Sequence, residues 1–277
     1  MVYGGELMIF KDVEPMVRLC EFTDGLIRKA LETQDPVRAQ FELDPEDYAE
    51  RIDGLQKWYS KDEAVKSIFR EALEYVGVSI DKTFWDRISL RTFPHSEELS
   101  EDCLGRLGVH RDTWGSNVYA QTNWWAPIYP LAAGRTISFY PSYWSRPIQN
   151  TSASWSLEKV RAARRMGDLS VPLVPGLVEP VDPDSELRVV IEPGDLLCFS
   201  GAHLHVGAPN STGVARFSIE TRTVDADDSA AGIGAPNVDG AAPEKHPEWF
   251  RLIDEGILLP DAITRLENGK QHEGSVE

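Results

Sequence analysis

The middle of the chain, between Ile88 and Val224, is a succession of short β-prone segments separated by turns that contain glycine and proline. Alternating or continuous apolar runs bounded by such turns are typical of β-strands. We predict strands over the segments Ile88–Phe93, Val118–Tyr129, Thr136–Tyr140, Leu187–Ile191, Leu196–Ser200 and Ala215–Val224. Since a single predicted helix, Ser156–Met166, lies among them, the pattern favours a β-sandwich or a small barrel.

The chain before this region has the periodicity of helices. Apolar residues recur at spacings of three and four from Val13 to Leu31, and Asp44 is a candidate N-cap for a helix that opens at Pro45. A third helix is predicted over Lys61–Val76. The apolar stripe predicted for this third helix consists of Ala64, Ile68, Ala72 and Tyr75.

The chain after the β-rich region changes composition again. Residues 225–242 are rich in Asp, Ala and Gly and have no period, which predicts a loop, whereas residues 247–266 predict one or two short helices. We expect the last ten residues to be disordered. The chain is therefore predicted to be a single domain, residues 1–277. Its predicted regions are a helical N-terminal region at 1–85, a β-rich core at 86–224, and a loop with a C-terminal helical tail at 225–277.

Charge, hydropathy and cysteine usage exclude several kinds of partner. With a formal net charge of -17, the chain lacks the basic footprint of a nucleic-acid-binding domain and of a polybasic membrane patch. It contains no apolar run long enough for a transmembrane helix, and its N-terminus lacks the pattern of a signal peptide. Cys20, Cys103 and Cys198 are far apart and form no CxxC pair, which argues against a disulfide framework. We therefore expect a cytoplasmic protein that binds neither nucleic acid nor membrane, and the sequence leaves its oligomeric state open.

Two residues with metal-ligand chemistry stand close together in the segment Val109–Thr113. His110 and Asp112 are two positions apart, so on an extended segment they project from one face. An imidazole and a carboxylate at one point are two of the three ligands in the 2-His-1-carboxylate facial triad, which binds non-haem Fe(II) and leaves coordination positions open. The His-x-Asp pattern alone also occurs in polar surface turns, so it requires a second signal.

The second signal is the segment Pro193–Ser218. A turn leads into an apolar strand that ends at a histidine, a loop follows, and the next strand opens with Arg216 and Ser218 on one face. An arginine can hold a carboxylate by two parallel hydrogen bonds, and a serine hydroxyl can add a third. This pair therefore suits the distal carboxylate of 2-oxoglutarate.

Together the two motifs resemble the phytanoyl-CoA dioxygenase-like branch of the Fe(II)/2-oxoglutarate oxygenases. The resemblance covers Ile88–Val224 and rests on the His-x-Asp pair, the Gly-Asp turn and apolar strand before the histidine, the Pro-Asn that follows, and Arg216 eleven residues after His205. It implies a mainly β fold with flanking helices, built on a double-stranded β-helix core of the jelly-roll or cupin-like type. It also implies Fe(II), 2-oxoglutarate and O2 as cofactor and cosubstrates. The iron ligands that it implies are His110, Asp112 and His205, and Arg216 is the implied anchor of 2-oxoglutarate.

Two histidines compete for the third ligand position. His203 and His205 lie on one face if the strand continues through them. The spacing to Arg216 favours His205, and we expect His203 to pack behind the site.

The segment between the motifs departs from the family pattern. Such proteins often carry Asn-Gly followed by a Pro-Gly-Ser-His-like stretch, whereas Leu131–Arg146 has neither. We therefore expect the substrate-binding side of the pocket to be unusual, and we infer no substrate from the resemblance.

Two further groups of residues are candidates for ligand binding. Gln121 and Asn123 share one face of a predicted strand, where their amides could bind 2-oxoglutarate or substrate, and a cross-strand polar pair is equally compatible with the pattern. A basic cluster on the predicted helix at 156–166 could guide an anionic substrate, although a solvated helix face is the commoner structure. This cluster comprises Lys159, Arg161, Arg164 and Arg165.

The expected activity is the oxidation of a C–H bond in a small metabolite, with conversion of 2-oxoglutarate to succinate and CO2. Hydroxylation is the default outcome, and desaturation, ring closure and epimerisation stay open. One alternative is a metal-dependent cupin dioxygenase or isomerase that does not use 2-oxoglutarate, against which Arg216 and Ser218 argue. The other is a non-catalytic, cupin-like protein that binds a small ligand, against which the His/Asp/His set argues.

Overall fold

The computed structural model describes residues 2–95, 107–253 and 255–264. The sequence-based predictions for Cys103 and for the last ten residues therefore lie outside the described residues. Within the described ranges, no helix combines the length and the apolar character needed to cross a bilayer.

Three helices form most of the N-terminal region: α1 (Glu14–Leu31), α2 (Pro45–Tyr59) and α3 (Glu63–Tyr75). The predicted cap of α2 is confirmed, since the Asp44 side chain accepts hydrogen bonds from the backbone N–H groups of Glu46 and Asp47. The predicted helix within the β-rich region is also present. The shorter helices are α4 (Thr113–Ser116), α5 (Leu157–Arg165) and α6 (Ala226–Ala231).

The predicted apolar stripe of α3 is wrong for two of its four members. Ala72 is buried and Ile68 packs against the core, whereas Ala64 is exposed and 61% of Tyr75 is exposed. The buried stripe lies one position further along and contains Phe69 and Leu73. A spacing of three and four fits both stripes, and the larger apolar side chains decide which one packs inward because they remove more surface from water. The buried residues of α3 are Val65, Phe69, Ala72 and Leu73.

Every predicted strand is present, although most are shorter than the predicted segments. Four further strands of two or three residues were not predicted, because such short segments have no periodic signal. The strands are β1 (Met8–Phe10), β2 (Thr83–Trp85), β3 (Ser89–Phe93), β4 (Gln121–Pro127), β5 (Ile137–Phe139), β6 (Leu187–Val189), β7 (Leu196–Ser200), β8 (His205–Gly207), β9 (Arg216–Asp225) and β10 (Arg251–Leu252).

The strands form two antiparallel sheets. The large sheet has the order β1-β7-β4-β9-β2-β10, and β3 also pairs with β9. The small sheet has the order β6-β5-β8. Strands that are neighbours in the sequence, such as β7 and β8, therefore lie in different sheets. The chain crosses from one sheet to the other between them.

Alternation along β7 shows how the layers stack. Leu196 and Cys198 belong to the apolar cluster that includes the N-terminal helices, whereas Leu197 and Phe199 belong to the cluster shared with the small sheet. Phe199 meets Phe139 of β5 edge to face, with ring centroids 4.9 Å apart. Because successive side chains of a strand point to opposite faces, the large sheet separates the helices from the small sheet.

The flanking regions contribute to the large sheet. β1 pairs with β7 at one edge, and β10 pairs with β2 at the other. The predicted loop at 225–242 is wrong in part, because it begins with α6. Asp225 caps that helix by accepting from the N–H groups of Asp227 and Asp228, and Gly232 ends it with a positive φ. The region boundaries at 85 and 224 stay predictions.

Candidate metal centre

Three side chains converge between the two sheets. Ligand atoms of His110, Asp112 and His205 all lie within 4.8 Å of one another, and all three residues are buried. Nε2 of His110 is 3.6 Å from Oδ1 of Asp112, and Nε2 of His205 is 4.0 Å from Oδ2 of the same carboxylate. Two imidazoles and one carboxylate are the donor set of a facial triad, so these residues could hold a metal ion.

The backbone orients both imidazoles. Nδ1 of His110 lies 2.7 Å from the Gly108 carbonyl oxygen, and Nδ1 of His205 lies 2.9 Å from the carbonyl oxygen of His203. When Nδ1 donates to a carbonyl, Nε2 keeps its lone pair and points into the cluster. Burial lowers the pKa of His205 to about 4, so that imidazole is neutral near pH 7, as metal ligation requires.

The backbone that brings the three ligands together differs from the one that the sequence suggests. His110 and His205 form an isolated antiparallel bridge in which each N–H donates to the other's carbonyl at 3.0 Å. Asp112 has φ -61° and ψ -33° at the start of α4, so the prediction of an extended segment with both ligands on one face is wrong. The strand leading to His205 also does not continue through it, because β7 ends at Ser200 and the histidine opens β8 in the other sheet.

Asp112 is held on both carboxylate oxygens. The Asn123 amide donates to Oδ2, and Nη2 of Arg222 lies 3.4 Å from Oδ1. Burial alone would raise the pKa of Asp112, but nearby positive charge, first that of Arg222, outweighs it and holds that pKa well below its usual range. The carboxylate is therefore ionised and fixed in orientation.

Arg216 is buried in the wall of the same cleft. Its Nη1 donates to the carbonyl of Thr136, and its guanidinium carbon lies 3.8 Å from the centroid of the Phe93 ring and 5.8 Å from that of Trp125. At Gly207, an added Cβ would lie 2.7 Å from Phe93 and 3.3 Å from Nη2 of Arg216. The guanidinium is therefore fixed between aromatic rings, and its close packing requires glycine on β8.

The other predicted ligand-binding residues lie close to this site. Ser218 follows Arg216 on the same face of β9, and its buried hydroxyl oxygen has no hydrogen-bond partner among the described residues. Asn123 lines the cleft, whereas Gln121 lies behind it and donates from Nε2 to Asn123 Oδ1 at 2.9 Å. Gln121 therefore orients the amide of Asn123, and Asn123 in turn holds Asp112.

Two other candidates from the sequence, His203 and the basic cluster, lie outside the metal centre. His203 is buried outside the ligand cluster, with its Nε2 3.1 Å from the Gly5 carbonyl oxygen and its ring 4.5 Å from that of Trp144. Burial lowers the pKa of His203. The basic cluster lies on α5, and none of its residues belongs to the described lining of the cleft.

Sequence reasoning missed a charged network beside the metal centre. Arg222 binds Asp86 at 2.9 Å as well as Asp112, and Glu220 binds Arg91 at 2.7 Å. Arg91, Glu220 and Arg222 all line the cleft. The signal was present, because residues 216, 218, 220 and 222 alternate along β9, but an alternating charged face is more often a solvated one.

The cleft that contains these groups encloses about 820 Å³, counting the solvent at its mouth. Its lining includes the three ligands, Arg216, and the apolar rings of Trp125 and Phe199.

No protein-family model matches the chain, and no curated protein matches it. Among solved structures, EvdO2 from Micromonospora carbonacea var. aurantiaca is similar at 11% identity, covering 79% of this chain and 86% of that chain with a TM-score of 0.45. The nickel complex of the non-heme monooxygenase ThoJ is 13% identical, with 95% and 94% of the two chains covered and a TM-score of 0.44. The epimerase SnoN, in complex with Fe3+, alpha ketoglutarate and nogalamycin RO, is 15% identical, with 91% and 96% covered and a TM-score of 0.43.

Proposed function

We propose that this protein is an Fe(II)- and 2-oxoglutarate-dependent oxygenase that oxidises a C–H bond of a small metabolite. The observation that carries the proposal is the convergence of His110, Asp112 and His205 in a cleft whose wall also contains the buried cation of Arg216. Two imidazoles and one carboxylate fit Fe(II) and leave positions open for a bidentate cosubstrate and O2. A buried guanidinium fits the distal carboxylate of that cosubstrate.

We also propose the finer fold and family that the sequence suggests. The two antiparallel sheets that flank the metal centre support a double-stranded β-helix core. The interval of eleven residues from His205 to Arg216 supports the phytanoyl-CoA dioxygenase-like branch. The buried, unpaired thiols of Cys20 and Cys198 support a cytoplasmic location.

The residues of the chain have separate parts in this activity. When bound, Fe(II) with 2-oxoglutarate and O2 supplies the oxidising power for C–H cleavage, with release of succinate and CO2. His110, Asp112 and His205 would hold the ion, and the carbonyls of Gly108 and His203 keep both Nε2 atoms directed at it. We propose that Arg216 and Ser218 bind the distal carboxylate and that Asn123 and Gln121 orient the cleft side of Asp112. The aromatic rings beside Arg216 exclude water from the buried charge pair.

A succinate assay tests this function directly. Purified protein incubated aerobically with Fe(II) and 2-oxoglutarate should form succinate, slowly without a primary substrate, and His205→Ala should abolish that formation. His203→Ala is the matched control, because it removes a neighbouring buried imidazole that lies outside the cluster. If the wild type binds Fe(II) and forms no succinate, a cupin-type enzyme that does not use 2-oxoglutarate becomes the better assignment.

A further inference from the structure

A second groove adjoins the cleft. It encloses about 840 Å³, counting open solvent, and lies between the C-terminal part of α2 and the start of β3. Gln56 and Arg91 line both the groove and the cleft. Because the same two residues form part of both walls, the groove and the cleft are direct neighbours.

The groove is cationic in a strongly acidic protein. Four of its lining side chains are basic and only one, Asp53, is acidic, whereas the chain as a whole has a formal net charge of -17. The basic lining residues are Lys57, Lys61, Arg87 and Arg91.

Two of these cations are already paired and two are available. Lys57 lies 2.5 Å from Asp53, and Arg91 binds Glu220 at 2.7 Å. Lys61 and Arg87 are exposed and form no ion pair with any residue that the structure describes. The groove thus presents an ammonium and a guanidinium to whatever occupies it.

Oxyanions are the ligands that such a groove recognises. A guanidinium offers two parallel N–H donors to a phosphate, sulfate or carboxylate, and an ammonium adds a compact positive charge. Ser89 also lines the groove, and its hydroxyl can donate a further hydrogen bond. A neutral sugar or an apolar chain would leave these charges without a partner.

We propose that the groove lined by Lys61 and Arg87 binds an oxyanion group of the primary substrate, while the C–H bond to be oxidised lies at the metal centre. The substrate is then a small molecule with a phosphate, sulfate or carboxylate group remote from the reacting carbon. The assignment to the substrate rests on the function proposed above, whereas oxyanion binding by the groove does not.

Calorimetry with inorganic pyrophosphate tests the groove without requiring activity. Pyrophosphate should bind the wild type at low ionic strength, and the Lys61→Gln/Arg87→Gln variant should bind it about tenfold more weakly, a loss of about 1.4 kcal/mol. Lys159→Gln/Arg161→Gln is the matched control, since it removes the same charge from α5, outside the groove, and should bind pyrophosphate as the wild type does. Absence of binding to the wild type, or equal binding by the Lys61/Arg87 variant, overturns the proposal.

Matched pairs of compounds with and without a phosphate group separate a substrate subsite from a site for free anions. The phosphorylated members should accelerate succinate formation by the wild type, and the Lys61/Arg87 variant should lose this acceleration while its KM for 2-oxoglutarate stays unchanged. Equal acceleration by the neutral members contradicts the substrate assignment. If the wild type forms no succinate at all, the proposed function fails, and the pyrophosphate measurement still decides whether the groove binds oxyanions.

Discussion

The amide nitrogen of Asn123 donates a hydrogen bond to Oδ2 of Asp112, the one carboxylate of the candidate metal centre. Gln121 determines which end of that amide faces the carboxylate, because its own Nε2 donates to Asn123 Oδ1 at 2.9 Å. With its oxygen occupied, Asn123 presents its NH2 group to Asp112. The aspartate is therefore oriented by a relay of two neutral amides on one face of β4.

Removing the first amide should weaken metal binding. Asn123→Leu leaves Oδ2 of Asp112 without its donor, and loss of such a supporting hydrogen bond typically lowers metal affinity by about 10–100-fold. The measurement is anaerobic titration with Fe(II), or with Ni(II) as a redox-stable substitute. Gln121→Leu acts only through Asn123, so we expect a smaller loss, and a larger loss for Gln121→Leu than for Asn123→Leu would contradict the relay.

The third ligand can be assigned by comparing two histidines. His205→Ala should abolish tight binding of Fe(II), since it removes one of three ligand side chains, whereas His203→Ala should retain it because that imidazole bonds to the Gly5 carbonyl instead. Melting temperatures show whether both variants are folded, and metal analysis after desalting gives the stoichiometry. Retention of iron by His205→Ala together with its loss from His203→Ala would reverse the assignment.

The sequence predicts the elements better than it predicts their junctions. Leu196–Ser200 is recognisable because the first four residues of this buried strand are consecutive apolar residues. The turn that follows, which moves His205 into the other sheet, is set by its backbone bridge with His110. That bridge joins residues 95 positions apart in the sequence, and local patterns carry no information about it.

Charged residues on β9 show a second limit of sequence reasoning. Glu220 and Arg222 alternate with isoleucine and threonine residues, as the solvated face of a strand does. Only their position in the folded chain, paired with Arg91 and Asp86, shows that they line a cleft. The nature of the ligand set could be predicted from residue types. The groups that hold Asp112 in place could not, because burial depends on which sheets pack together.

Stability at low pH should depend on Asp195. Its carboxylate accepts from Lys11 Nζ at 2.6 Å and from the N–H groups of Asp12 and Glu192, which ties the start of the chain to the turn before β7. Burial opposes ionisation, but these donors outweigh it and lower the pKa of Asp195. A carboxyl whose pKa is lower in the folded state stabilises the fold above its unfolded value of about 3.9, and this contribution is lost as the pH falls through the folded value.

Asp195→Asn should therefore lower the melting temperature at pH 7. The difference in melting temperature between the wild type and the variant should become smaller as the pH falls below about 4. The measurement is thermal unfolding between pH 7 and pH 3. Asp35→Asn, at an exposed carboxylate, is the control and should leave the unfolding curve unchanged. A constant difference between wild type and Asp195→Asn across this range would show that the ionised carboxylate is not the stabilising form.

Truncating Arg216 should weaken the binding of 2-oxoglutarate. Removing one partner of a buried, hydrogen-bonded charge pair costs about 2–5 kcal/mol, so Arg216→Ala should raise the KM for 2-oxoglutarate by at least about thirtyfold. Metal affinity measured without 2-oxoglutarate should change little, because Arg216 is not among the metal ligands. An unchanged KM for 2-oxoglutarate would remove the main support for this cosubstrate.

Replacing Ser218 should affect the binding of 2-oxoglutarate without lowering the stability of the free protein. Its hydroxyl oxygen is buried and lacks a hydrogen-bond partner among the described residues, so Ser218→Ala removes a polar group that gains nothing in the free protein. We expect the variant to unfold at a temperature equal to or slightly above that of the wild type. If the hydroxyl donates to bound 2-oxoglutarate, its loss should cost about 1 kcal/mol and raise the KM roughly fivefold. Calorimetric unfolding with and without 2-oxoglutarate measures both effects, and the variant should gain less stability from the cosubstrate than the wild type does. An equal gain would mean that Ser218 does not contact the cosubstrate, and Arg216 would then bind the carboxylate without it.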